Sequence, residues 1–445
     1  MRLKRTRVAM ATVLAAFTLA GAALPLSAQA QNLQALYDAA RAFDATYLAA
    51  RQAAEAAKYR AEQGEALNRP SAALSASATN SQIDAPRIPT GSSVSTGVTV
   101  NGKMPLFNRA NDASVAQSRK SLVVAQADLD AAEQDLIVRV SQAYFDVLTA
   151  QDTLTTTRAN KTFITEQLAS AKRNFEVGTA TITDTREAQA RFDLATAQEL
   201  VAENDLRTKR IALDTLVGRT NTEPKPLATP VVLPSPVPAN AEEWVTVADN
   251  QHPTVRKARV GLEVATLETA KAKAGHLPTV DAVASVGSTR ADGTSLAAGN
   301  GKTNTGTVGL QLNWTLFAGG AIQNRVKETL ALEEKAKNDV EAARRGVAQG
   351  TRVAYFGVQS GLSQVKALEA AESSSKLALE ATQLGYKVGV RVNLDVLNAQ
   401  TQLFSTQRDL AKARYDVLLA GLKLRQASGQ LAPTDLDSVN RLLAP

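Results

Sequence analysis

Little in these 445 residues can make or break a covalent bond. Cysteine is absent, which removes disulfides, thiolate metal sites and cysteine nucleophiles. The two histidines, His252 and His276, stand far apart with no cysteine to support either as a zinc ligand. The run "GNGKT" at 299–303 glances at a phosphate loop, but that pattern needs glycine where Leu296 stands. The chemistry that remains is electrostatic, and it is concentrated in one motif written twice. "YKVGVRVNLDVLNAQ" at 386–400 carries Val388, Gly389, Asp395, Ala399 and Gln400 where "FEVGTATITDTREAQ" at 175–189 carries Val177, Gly178, Asp184, Ala188 and Gln189. Copy two adds a phenol and a guanidinium, Tyr386 and Arg391, where copy one has Phe175 and Ala180. A carboxylate, a cation and a hydroxyl around a turn can pair or set a local potential. They do not form a catalytic set, so no enzyme, cofactor or metal is expected.

A glycine before a renewed helical pattern marks a turn between two helices. The helices that must hold it are long. Residues 108–177 contain neither Gly nor Pro, and as one helix they would span about 105 Å. A run of this length without caps implies a coiled-coil-like assembly. On the return, Val392, Val396, Ala399, Leu403, Thr406, Leu410, Ala413, Val417, Ala420 and Leu424 follow alternating spacings of four and three, a heptad seam broken by Thr406. Gly346, Gly350, Gly357 and Gly361 form a stripe on the outgoing helix of copy two, which fits either a close neighbour or a curve.

The duplication covers about 200 residues. "AYF" at 143–145 returns at 354–356, and "MPLFN" at 104–108 is answered by "WTLFA" at 314–318. Repeat 1 spans 31–222: an Ala-rich helix over 32–63, strands about 70–83 and 92–107, and a hairpin over 108–218 with its tip near 175–184. Repeat 2 spans 243–430: a helix, strands about 278–290 and 304–317, and a hairpin over 321–428 with its tip near 386–395. In the last strand Val308, Leu310, Leu312, Trp314 and Leu316 alternate with polar residues, giving one apolar and one polar face. A Pro-rich connector, 223–242, separates the repeats, and a tail, 431–445, follows them.

Residues 1–30 have the form of an export signal, with a basic start, an apolar run and "AQA" at 28–30. Removing its four basic residues takes the formal net charge from +7 to about +3, with no basic cluster, so nucleic acid is not an expected partner. After residue 30 no apolar run approaches the roughly 20 residues of a spanning helix. A membrane crossing would have to use β-strands. Four strands cannot close a barrel and an open edge cannot exist in lipid, so several chains must share one. Two, three or four chains would give 8, 12 or 16 strands.

The leading Ala-rich helix, "HLPT" opening a strand, "AYF" in a long helix and the two tip motifs resemble the TolC family of outer-membrane export channels. The resemblance covers the chain after the signal. It implies a mixed α+β membrane protein: a homotrimer with a 12-stranded outer-membrane β-barrel, four strands per protomer, continuous with a helical barrel across the periplasm. It also implies lipid around the barrel, a periplasmic adaptor (membrane fusion protein) and an inner-membrane ABC, RND or MFS transporter. Six nearly equivalent tips would then ring one opening, which would explain the repeated motif. By resemblance Val177, Gly178, Thr179, Val388, Gly389 and Val390 meet the adaptor. Asp395 forms a cation-selective ring at the gate, with Asn398 where the family has a second carboxylate. Tyr386, Arg391, Thr183 and Asp184 form a latch, Arg391 pairing with Asp184 and Tyr386 donating to it. From the residues alone, Asp184 and Asp395 are equally well read as solvated acids favoured near a helix start. The alternative from another class is a trimeric coiled-coil surface protein, adhesin-like, with one anchor and one stalk.

Overall fold

The computed structural model describes residues 31–444 except 87, 229 and 295–299; the expected signal, Leu296 and Gly299, the first residue of "GNGKT", lie outside the described residues. Two long hairpins are built on one four-stranded antiparallel sheet. The outgoing helices are α3 (Arg109–Glu176) and α7 (Ala321–Lys387), and the return helices α4 (Ile182–Val217) and α8 (Asn393–Ala427) are about half as long. Shorter helices complete the upper half: α1 (Leu33–Phe43), α2 (Ala45–Glu65), α5 (Ala241–Gln251) and α6 (Pro253–Ala274), with α9 (Asp435–Asn440) near the end.

The helices lie side by side. Toward the tips the order is α4, α3, α8, α7; toward the sheet it is α2, α3, α6, α7. Two unbroken helices per chain are thus sandwiched or edge-bound along their whole length by pairs of shorter ones. The seam on α8 is buried at Val396, Leu403, Thr406, Leu410, Ala413, Val417 and Leu424, while Val392 at the tip is exposed. A second face of α8, carrying Tyr415, Leu418, Leu419 and Leu422, packs on Val140, Tyr144, Phe145 and Leu148 of α3. That second face exists because α8 lies between two long helices. Of the four glycines of the α7 stripe, only Gly361 answers a close neighbour: a Cβ there would meet Val417 Cγ2 at 2.8 Å.

The expected helix over 32–63 is divided. Asp44 leaves the helical conformation and caps α2, accepting from the Tyr47 N–H at 2.8 Å. Its two oxygens also accept from Arg139 at 2.9 and 3.0 Å. Hydrogen bonding from Arg139, opposed by burial, holds the Asp44 carboxyl below the usual carboxylate range. The Pro-rich connector runs extended past the core, where the Tyr144 hydroxyl donates to the Lys225 carbonyl at 2.8 Å. It ends at Trp244, which donates to the Pro238 carbonyl and packs on Tyr355 and Leu424. The duplicated "AYF" thus serves the connector twice, through Tyr144 at its start and Tyr355 at its end.

Strands β1 (Ser71–Ala85), β2 (Ile88–Phe107), β3 (Thr279–Gly293) and β4 (Gly301–Asn313) pair in that order. The register places Leu74, Val100, Val286 and Gly306 in one row across the sheet. Val98, Val308 and Leu310 share their face and stand exposed. The opposite face carries Ser75, Thr99, Ser285 and Thr307, and on it Lys103 pairs with the buried Asp281 at 2.8 Å. The fourth strand stops at Asn313, short of the expected 317. Trp314 leaves the ladder because its indole donates to the His276 carbonyl at 3.0 Å, and Leu316 and Phe317 follow it exposed.

Candidate functional site

Both tips close by the same backbone device. At the first, the Gly178 N–H donates to the Phe175 carbonyl and the Thr179 N–H to that of Asn174, at 3.0 and 2.8 Å. At the second, Gly389 donates to Tyr386 and Val390 to Gly385, at 3.1 and 2.9 Å. This paired arrangement satisfies the last carbonyls of a helix and needs a left-handed residue next to its end. Gly178 and Gly389 have φ of +79° and +81°. No atom lies within 4 Å of where a Cβ would sit on either, so glycine is required by the dihedral and not by crowding. The valines beside them are unsatisfied apolar surface: Val177, Val388 and Val390 are 72%, 66% and 78% exposed.

The acids of the two copies are used differently. Asp184 is held by its own helix start: its N–H donates to Thr181 Oγ1, and its carboxylate accepts from the Thr181 N–H at 3.0 Å and hydroxyl at 2.8 Å. This is a capping box, and it depends on a hydroxyl at the cap. In copy two the cap position is Val392, which has no hydroxyl to offer, and Asp395 turns to Arg391, with Nη1 and Oδ2 3.6 Å apart. The expected pairing of Arg391 with Asp184 is therefore absent within the chain: Asp184 is engaged by Thr181, and Thr183 is exposed and outside the box. Tyr386 does not donate to Asp184 either. Its hydroxyl accepts from Asn174 Nδ2 at 3.5 Å, joining the two tips.

The tips nevertheless lie together. A cleft of about 450 Å³ between them is lined by Asn174, Thr179, Asp184, Tyr386, Arg391 and Asn393. The stem of Arg391 lies over Gly385, where an added Cβ would meet Arg391 Cγ at 2.8 Å. Gly385 thus admits the arginine, a role no local pattern signals. Asn398 is exposed one turn beyond Asp395 and accepts from Arg191 Nη2 of α4 at 3.0 Å. A guanidinium therefore stands beside the position where a second carboxylate was to be compared. Arg191 carries no sequence signal, because its proximity comes from the packing of α4 near α8 and not from spacing. Thr181 does carry one, since Thr-x-x-Asp at 181–184 is the signature of a capping box.

Among the described residues no group of His, Asp and Glu is placed to hold a metal ion, and no helix is long and apolar enough to cross a membrane. The family profile described as outer membrane efflux protein matches residues 36–219 and 244–430. The chain is 34% identical to outer membrane protein TolC of Vibrio cholerae over 343 residues, covering 77% of this chain and 78% of that one. It is 30% identical to outer membrane protein TolC of Escherichia coli over 429 residues, 94% and 86% of the two chains. It is 33% identical to the alkaline protease secretion protein AprF of Pseudomonas aeruginosa over 348 residues, 77% and 71%. Among solved structures, the outer membrane protein VceC of Vibrio cholerae aligns with a TM-score of 0.77 at 21% identity, covering 89% of this chain and 96% of that chain. The Campylobacter jejuni CmeC outer membrane channel aligns at 0.76 and 16% identity, covering 93% and 90%. This chain shares its fold with these solved channels, and it belongs to the outer membrane efflux protein family as an outer-membrane export channel.

Proposed function

We propose that three copies of this chain form a tunnel that carries cargo from the periplasm to the cell exterior, recruited by a periplasmic adaptor and an inner-membrane ABC, RND or MFS transporter. The observation that carries the reading is the pair of open edges. β1 and β4 end the sheet with unpaired backbone groups beneath an apolar outer face, a state lipid does not tolerate. The edge helices tell the same story. α4 exposes Leu194, Leu200, Val201 and Ile211, and α7 exposes Val353, Phe356, Leu377 and Leu384. Joining β4 to β1 and α7 to the flank of α4 and α2 in a neighbour covers both kinds of edge with one rotation, as a closed ring requires. Three chains give a 12-stranded barrel with the polar face, Lys103 and Asp281 included, lining the lumen. The likeness to both efflux and secretion proteins supports a conduit whose cargo is chosen by the inner-membrane partner.

At the mouth, Arg391 and Asp395 act as one unit: the arginine both holds the acidic ring and masks it, while Tyr386 and Asn174 tie neighbouring tips. Arg191 beside Asn398 sets a positive ring next to the acidic one. The exposed valines flanking Gly178 and Gly389 form the surface for the adaptor. Assembly is tested by native mass spectrometry of the detergent-purified protein. The expected mass is that of three chains. A monomer or dimer of native fold would overturn the shared barrel.

A further inference from the structure

β3 follows α6 and β4 leads into α7, so the far end of β3 near Arg290 and the start of β4 near Lys302 lie away from the helices and belong to the outer rim of the barrel. On the apolar, outward face of that rim, Arg290 and Lys302 are directly opposite each other in the ladder. Like charges placed opposite on one face destabilise a strand pair. Only half of this is relieved within the chain. Arg290 pairs with Asp292, Nε to Oδ2 at 2.7 Å, whereas Lys302 has no carboxylate partner among the described residues. Beside the two cations, in their own ladder row and the next toward the helices, lies a groove of about 540 Å³ lined by Ala76, Ala78, Thr96, Val98 and Ser288.

The height of the pair decides what it faces. From Leu312 to Lys302 on β4 is about 33 Å of strand, or about 25 Å of height at the tilt of membrane barrels, and this matches the apolar band of such barrels. Leu312 and the exposed Trp314, Leu316 and Phe317 mark the inner boundary. Arg290 and Lys302 therefore lie at the headgroup level of the outer leaflet, where a basic residue on the lipid face costs little. We infer that Arg290 and Lys302 bind the phosphate of an acylated, phosphorylated glycolipid of the outer leaflet, with an acyl chain in the groove beside them. The site rests on the barrel reading and occurs once per protomer.

Native mass spectrometry of delipidated protein titrated with a bisphosphorylated, hexa-acylated glucosamine disaccharide tests it. The wild type should retain this lipid, its retention should fall roughly tenfold or more in the variant carrying Arg290→Gln and Lys302→Gln, and it should be unchanged in Lys103→Gln on the lumen face. The fully dephosphorylated lipid should bind the wild type as weakly as the double variant binds the intact lipid. Equal retention by the double variant overturns the site. So does complete displacement by millimolar inorganic phosphate, which would show a simple anion site without a chain. The same spectra report the number of chains, so failure of the shared barrel is read separately from failure to hold lipid.

Discussion

Aspartate at both Val177 and Val388 should abolish export while leaving assembly intact. Both side chains are more than half exposed at the ends of helices whose turn is held by backbone hydrogen bonds, so a charge there costs the fold almost nothing. It costs a docked interface much more. An unpaired charge buried against an apolar partner is worth several kcal/mol, or more than a hundredfold in affinity per tip. Export assayed in cells should fall to background, with normal amounts of assembled protein in the outer membrane. Because the tips differ around Thr181 and Val392, the single variants are informative. Equal losses from Val177→Asp and Val388→Asp mean that the adaptor engages both copies. Normal export in the double variant would place docking elsewhere.

Arg391→Ser combined with Tyr386→Phe should raise closed-state conductance several-fold in planar bilayers and increase preference for cations. The link removed is weak. Arg391 and Asp395 are 3.6 Å apart, the arginine exposed and the aspartate partly so, and such a surface pair contributes about 0–1 kcal/mol. Three copies act together in the proposed ring, and weak links suit a mouth that must open. Removing the arginine also uncovers Asp395, so selectivity should move with conductance. Asp395→Ala should then lower cation preference and block by multivalent cations, and Arg191→Gln should raise both. A conductance that is unchanged in the first variant eliminates the latch. Selectivity that is unchanged in Asp395→Ala returns that residue to a solvated helix start.

How much of this was legible depended on the range of the interaction. The helix Arg109–Glu176 follows from a stretch of 70 residues with neither Gly nor Pro, a purely local property. The turn glycines were legible because a left-handed residue after a helix is almost always glycine, and Gly178 and Gly389 have that conformation. The heptad seam of α8 marked its contact with α7. It was silent about the second face, Tyr415, Leu418 and Leu422, because a period describes one partner and α8 has two. In β4 the alternation continues through Trp314 and Leu316 although the strand does not. An indole bond to the His276 carbonyl outweighs the period there.

Thr179, Asp184, Tyr386, Gly389 and Arg391 line one cleft, yet which acid faces Arg391 turns on a difference between the copies, Thr181 against Val392. That difference is visible in the aligned motifs at the cap positions, not at the acids themselves. Arg191 and Gly385 had no local signal, since both act through a neighbouring segment brought near by packing.

In the proposed assembly this chain encloses a continuous path through the outer membrane. Purified wild-type protein reconstituted into a planar bilayer measures it directly. Discrete, long-lived current steps that favour cations, and that multivalent cations added on the tip side reduce, are the predicted result. A membrane that stays silent with the protein demonstrably inserted would contradict it.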